Sequence, residues 1–255
     1  MNKILVFGDI HGRVFWKKPA YKYVDEVDKV IFIGDYLDSY PDEWDDSHTR
    51  QDDIDNFLEI IDFKTKYPDK VVLLIGNHDE HYRSHIFNKE CGGCRKDGRN
   101  ANTIKQIFDE YGDYFKLAHE EVINGKKILF THAGVMKSWY ERNKGAIGEL
   151  TADNLNKLQE TKKGEETLCE VSFYRGGFDA AGSMLWSDVR ERFGINLENV
   201  LEEEFVDEYD LQVFGHTRLR NEPIICSRWA CIDCSKPFMI DDKGTILEEK
   251  ENEED

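Results

Sequence analysis

Val30 to Asp38 reads VIFIGDYLD, an apolar run of strand length that stops at Gly34-Asp35 and meets a second carboxylate, Asp38, three residues later. Gly34 lets the backbone turn closely where the strand stops, so Asp35 is presented at the carboxyl end, where open α/β sheets place their ligands. Alone, a Gly-Asp exit is ordinary turn chemistry. Its weight comes from repetition. Lys3 to Phe7 opens into Gly8-Asp9-Ile10-His11-Gly12, where Asp9 and His11 point the same way from extended backbone and can both reach one ion. Val71 to Ile75 ends in Gly76-Asn77-His78-Asp79, an amide oxygen beside an imidazole that can bind a metal or carry a proton. Lys127 to Phe130 runs into Thr131-His132-Ala133-Gly134, and Leu211 to Phe214 into Gly215-His216-Thr217-Arg218. Five strand exits thus deliver Asp9, His11, Asp35, Asn77, His132 and His216 to one edge. A mixed carboxylate, amide and imidazole set without thiolate suits manganese, iron, zinc or a similar ion better than magnesium or calcium alone. Six ligands on one ion would close it, whereas two ions sharing a carboxylate keep a position open for chemistry.

Between these exits the chain alternates helices and polar connections. Gln51 to Lys66 carries Ile54, Phe57, Leu58 and Ile61 at helical spacing, and Pro68 ends it. Ile104, Ile107, Phe108 and Tyr111 mark a second amphipathic helix, closed by Gly112. Tyr40 to Asp53 is an acidic loop lying beside the strand ends, with His48 read as a surface residue. His81 and His85 are read as exposed helix positions. Leu150 to Gly164 is a helical excursion with Thr151 as N-cap, and FYRGGFDAAG at 173–182 is a glycine-rich segment around Arg175. Ala230 to Ser235 and Pro237 to Leu247 read as closing strands, with Asp242-Lys243-Gly244 as a hairpin turn. Residues 1–247 form one domain by this reading, and 248–255, EEKENEED, an acidic disordered tail.

The chain has 255 residues, enough for a sizeable core, and 34 Lys and Arg against 52 Asp and Glu give a formal charge of −18. That charge repels phosphate backbones and anionic lipids, which argues against nucleic-acid and membrane-surface partners. The opening MNKILVFGDIHG lacks a signal peptide's apolar core, and a soluble cytoplasmic protein is expected. Cys91/Cys94 and Cys231/Cys234 have CxxC spacing; reduced, mostly buried thiols are expected, with a four-thiolate zinc site as the alternative. The loop CGGCRKDGRN at 91–100 is basic, and its Arg95, Lys96 and Arg99, with Arg83, are read as solvated charge rather than substrate contacts.

The ordered set GDIHG, GDYLD, GNHD, THAG, GHT, from residue 8 to residue 217, resembles the calcineurin-like metallophosphoesterases, specifically their phosphoprotein phosphatase branch. SMLWSD at 183–188 and Ile232-Asp233 add to the likeness. The resemblance implies an α/β sandwich of two mixed β-sheets flanked by α-helices. It also implies two divalent metal ions, manganese first, with iron, zinc or nickel as alternatives. Asp9, His11 and Asp35 would hold one ion and Asp35, Asn77, His132 and His216 the other, with a bridging hydroxide attacking phosphorus. His78 would protonate the leaving oxygen, oriented by Asp38.

Three positions depart from the branch. Ser39 and Ile75 stand where the protein phosphatases carry phosphate-clamping arginines, and Arg218 stands where diesterase branches carry a second histidine. Arg13, Arg83, Arg175 and Arg218 are candidate replacement clamps, with Arg13, Arg175 and Arg218 taken forward as substrate-binding. The expected activity is phosphomonoester hydrolysis on a phosphorylated protein or small molecule. Phosphodiesterase or dinucleoside polyphosphate hydrolase activity, and a non-catalytic metal-binding scaffold, stay open. So does the oligomeric state.

Overall fold

The computed structural model describes residues 3–43, 45, 47–91, 94–193, 204 and 206–249. In chain order the strands are β1 (Ile4–Phe7), β2 (Lys29–Phe32), β3 (Val71–Leu74), β4 (Phe115–Lys116), β5 (Ala118–Ile123), β6 (Lys126–Thr131), β7 (Leu211–Phe214), β8 (Ile224–Ile225), β9 (Trp229–Cys231), β10 (Pro237–Ile240) and β11 (Ile246–Glu248). The helices are α1 (Lys17–Tyr23), α2 (Arg50–Lys66), α3 (Asn77–Arg83), α4 (His85–Glu90), α5 (Ala101–Tyr111), α6 (Lys137–Ile147), α7 (Ala152–Asn156), α8 (Lys162–Leu168) and α9 (Val189–Phe193).

Two mixed sheets result, with strand order β11-β10-β1-β2-β3-β4 in the first and β5-β6-β7-β9-β8 in the second. The central strands are buried on both faces, and successive residues divide between the layers they serve. Ile4, Val6, Ile31, Ile33 and Leu74 face Ile128, Phe130, Leu211 and Val213 of the second sheet. Leu5, Phe7, Val30, Phe32 and Leu73 face the opposite way, onto Trp16, Ile54, Phe57, Ile60 and Phe108 of the helical layer. β1, β2 and β3 run parallel, as do β6 and β7, so their carboxyl ends open where the sheets meet. That end carries the candidate site.

Several elements depart from the sequence reading. In α2, Leu58 is solvent-facing at 36% exposure, while Ile60 and Phe63 join Ile54, Phe57 and Ile61 in the core. Gly112 ends α5 in right-handed conformation and leads into a 3-10 turn. The predicted closing strand at 230–235 is shorter: the chain leaves β9 after Cys231, turns through the Ile232–Cys234 backbone bond and crosses to β10 on the other sheet. Thr151 caps α7 as expected, its side chain accepting from the Asn154 amide at 3.2 Å. Gly244, with φ of +71°, makes the β10–β11 hairpin turn. Order extends past residue 247, because Glu248 pairs with Phe238 and the Glu249 amide bonds to the Pro237 carbonyl at 3.0 Å. Residues 250–255 of the expected tail lie outside the described residues. Cys91 is joined to Cys169 by a disulfide, which removes it from both the reduced set and a four-thiolate zinc site. Cys231 and Cys234 are free and buried as expected. Among the described residues no helix is long and apolar enough to cross a membrane.

Candidate metal centre

Each strand exit is tied to its neighbour before any side chain is considered. The amides of His11 and Gly12 bond to the carbonyls of Asp35 and Tyr36 at 2.7 and 2.9 Å, and the Gly215 amide to the His132 carbonyl at 2.8 Å. Gly76 packs so closely on Asp35, and Gly215 on Asp9, that a Cβ at either position would collide with the carboxylate. His11, Asp35, Asp38 and His216 all hold positive φ, between 44° and 64°. Non-glycine residues in that region carry strain of about 1 to 3 kcal/mol each, tolerated where the surroundings impose it, as at working sites.

The six expected ligands converge. The Nδ1 of His132 has only the Ile33 carbonyl, at 3.2 Å, which can accept but not donate, so Nδ1 carries the proton and Nε2 a lone pair. That Nε2 lies 3.0 Å from Asn77 Oδ1, 3.1 Å from His216 Nδ1 and 3.5 Å from Asp35 Oδ2. His11 is arranged alike: Nδ1 donates to the Leu37 carbonyl at 2.7 Å, and Nε2 faces Asp35 Oδ2 at 3.5 Å and Asp9 Oδ2 at 3.9 Å. Apart from His216 Nδ1, whose role follows its tautomer, the groups these lone pairs face are oxygens that cannot donate. A cation resolves this, and adjacent ligands on an octahedral ion with bonds of ~2.1 Å lie ~3.0 Å apart. Asp35 Oδ2 stands between the two histidines, where a shared carboxylate belongs. His216 Nε2 is buried and without a hydrogen-bond partner.

The electrostatics agree. Burial drives His11 and His216 well below the usual imidazole range and lowers His132, leaving neutral rings with lone pairs to offer. Burial, then repulsion from Asp35, pushes Asp9 up to about 8, a carboxylate short of positive charge that a dication would supply.

Beside Asp35 stands the His78–Asp38 pair. His78 Nδ1 meets Asp38 Oδ2 at 2.8 Å, and Asp38 Oδ1 accepts from the Tyr82 hydroxyl at 2.6 Å and the Asp97 amide at 3.2 Å. Burial opposes a charge on His78, but Asp35 and the Asp38 hydrogen bond outweigh it and hold the imidazole well above its usual range.

Residues 2–218 match the calcineurin-like phosphoesterase family. The chain belongs to that family. It is 25% identical over 194 residues to a probable serine/threonine-protein phosphatase of Encephalitozoon cuniculi, covering 76% of this chain and 35% of that relative's length. Among solved structures, a cold-active protein-tyrosine phosphatase of a psychrophilic Shewanella shares the fold with a TM-score of 0.58 at 16% identity, over 97% of this chain and 80% of that one. A Saccharomyces cerevisiae protein serine/threonine phosphatase does so with a TM-score of 0.53 at 13% identity, over 100% and 81%.

Within this calcineurin-like phosphoesterase the candidate arginines are already engaged. Arg13 grips Glu43 through Nε at 2.7 Å, Arg218 bonds to Asp42 and Glu43, and Arg83 pairs with Glu80 at 2.8 Å. Arg175 pairs with buried Asp188 at 2.8 Å and donates to the His216 carbonyl at 2.8 Å, bracing a strand exit. His81, read as exposed, is 4% exposed: it sits edge-on to Trp186 and Phe87, and burial with nearby His78 lowers it to about 4. His85 is exposed as expected. His48 is half-buried against Asp53 at 2.9 Å rather than a free surface residue.

Other residues at the site escaped the sequence reading. Asp79 is wholly buried and accepts from the amides of Asp35, Tyr36 and Gly76 at 2.7, 3.0 and 2.9 Å, locking two strand exits together. Its place three residues past Gly76, at a helix start, was a readable capping signal. Arg95, read as solvated, stacks 3.7 Å from the Tyr40 ring centroid and donates to the Asp38 carbonyl at 3.0 Å. Cys94 lies close enough to His78 and Asp38 for the three to form a cluster within 4.8 Å.

Proposed function

We propose that this protein is a metal-dependent phosphomonoesterase. The observation that carries the reading is the convergence of Asp9, His11, Asp35, Asn77, His132 and His216, from both sheets, around a shared carboxylate with an acid–base pair alongside. Asp9, His11 and Asp35 would hold one divalent ion and Asp35, Asn77, His132 and His216 the other, with manganese, iron, zinc or nickel all compatible with the donors. Bound there, two dications supply an acidified, positioned water and neutralise charge on the phosphoryl oxygens.

The chain's own residues do the rest. His78 gives a proton to the leaving oxygen; Asp38 fixes the ring through Nδ1 and so leaves Nε2 for that transfer. Tyr82 and the Asp97 amide keep Asp38 still. Arg13 and Arg218 bring positive charge to the mouth of the site, and Arg175 holds the His216 exit from the other side. That concentration of guanidinium charge favours a monoester dianion over a diester monoanion. The substrate by this reading is a phosphorylated protein or small molecule.

The deciding experiment compares initial rates on p-nitrophenyl phosphate and its bis-ester with manganese added, with Asp35→Asn as control. Preference for the monoester, abolished in the control, is expected. Preference for the diester would overturn the reading.

A further inference from the structure

The mouth of the site carries an arrangement that the metal chemistry does not use. The Tyr40 ring has the Arg95 guanidinium 3.7 Å and the Arg218 guanidinium 4.0 Å from its centroid, with Arg13 at 5.2 Å. Two guanidiniums so near one centroid must lie on opposite faces, so Tyr40 is sandwiched and its edge closes on His11 at 4.9 Å. On one side of the sandwich opens a cleft of about 510 Å³ whose lining includes Arg13, Asp42, Glu43, Arg218, Arg220 and Asn221.

Glu43 bridges two of the cleft's three arginines, Arg13 and Arg218. Its carboxylate accepts from Arg13 Nε at 2.7 Å and Arg13 Nη2 at 3.1 Å, and its Oε1 also accepts from Arg218. Arg220 lines the same cleft, exposed and in no ion pair with any described residue. In a chain of net charge −18 this sets three arginines against two carboxylates, Glu43 and the more exposed Asp42, which pairs with Arg218 at 3.2 Å. The guanidiniums flank the metal ligands rather than enter among them: Arg13 reaches the Asp9 backbone carbonyl at 3.3 Å, and the Tyr40 ring stands between the cleft and His11.

We propose that this cleft is a subsite for a second anionic group on the substrate, a phosphate or carboxylate beside the scissile phosphate, and that Glu43 is the resident counter-ion which such a group displaces. A phosphate dianion offers more charge and more acceptor oxygens to the paired guanidiniums than one carboxylate does. Glu43 is suited to leave, since it ends a three-residue 3-10 turn and its side chain is 32% exposed. The inference rests on the phosphomonoesterase reading.

The test measures kcat/KM for two matched pairs, fructose 1,6-bisphosphate against fructose 6-phosphate, and a phosphoserine peptide with aspartate against one with asparagine next to the phosphoserine. Wild type, Glu43→Gln and Arg220→Gln are compared, with p-nitrophenyl phosphate as the common reference. The doubly anionic member should be preferred through KM in at least one pair. Glu43→Gln should raise that preference about five-fold, and Arg220→Gln should reduce it by a similar factor. Preference confined to one pair identifies a phosphate or a peptide carboxylate as the second group. Unchanged ratios in both variants, with p-nitrophenyl phosphate still hydrolysed, would overturn the subsite alone. No hydrolysis of p-nitrophenyl phosphate would instead sink the phosphomonoesterase reading. The subsite is then judged by calorimetric titration with sulfate, which should bind more tightly to Glu43→Gln than to wild type and overturns the proposal if it does not.

Discussion

His78 has one nitrogen committed to Asp38, and Asp38 is itself committed to Tyr82 and to the Asp97 amide. The chain of contacts leaves the imidazole little freedom to turn, which is what a proton donor to a leaving group requires. Replacing His78 by alanine should therefore lower kcat by about 10² to 10⁴ on an alkyl phosphate, whose leaving oxygen needs a proton. The loss should be much smaller on p-nitrophenyl phosphate, because nitrophenolate departs without one. Equal losses on both substrates would mean that His78 serves only as structure. The positive-φ residues belong to the same scale: His11, Asp35, Asp38 and His216 each keep a backbone conformation that their surroundings impose rather than local preference.

At the scale of elements, the segment from Phe173 to Asp188 is anchored by one buried carboxylate. Asp188 is fully buried and pairs at 2.8 Å with both Arg175 and Arg190, and through Arg175 it supports the His216 exit. Burial opposes its ionisation, but Arg190 and Arg175 prevail and hold it below its ordinary 3.8. A native value below the unfolded one stabilises the fold above that ordinary value, and the contribution fades as pH falls through the lowered native value. Asp188→Asn should thus cost about 2 to 3 kcal/mol near neutral pH, discounted for the partly exposed Arg190. Urea unfolding at about pH 7 and about pH 3.5 checks this: the gap between wild type and variant should narrow in acid, and a gap independent of pH would refute it. The elements also show where sequence reading succeeds. Strand exits were legible because an apolar run, a turn residue and a ligand-type side chain lie within a few positions of one another. β5 was not, since AHEEVI mixes charge with apolar residues and becomes a strand only by pairing with β6. The Cys91–Cys169 bond joins residues 78 apart, a pairing that no local spacing signals, so reduced thiols were expected there. His81 was hidden for a related reason, as its burial depends on what packs over α3.

At the scale of the whole molecule, the candidate metal centre is also a joint. Asp9, His11, Asp35 and Asn77 come from exits of the first sheet, His132 and His216 from exits of the second, and Asp35 faces histidines of both. Without cations this joint would set buried carboxylates against one another, Asp9 being raised by burial and by Asp35. A ligand that binds only the folded chain stabilises it by RT ln(1 + [L]/Kd), about 2.7 kcal/mol at a hundred-fold excess over Kd. Chelation followed by dialysis should therefore lower Tm by several degrees, about 2 to 4 °C for each kcal/mol in a chain of this size, and manganese should restore it in a concentration-dependent way. Asp35→Asn, which weakens the proposed shared ligand, should respond less to manganese than wild type does. The test is specific to the joint, because a metal held by one sheet alone would protect that sheet's amides from hydrogen exchange and leave the other's unchanged. Protection appearing in both β1–β3 and β6–β7 is the expected outcome, and protection confined to one set would show that the ions do not bridge the sheets.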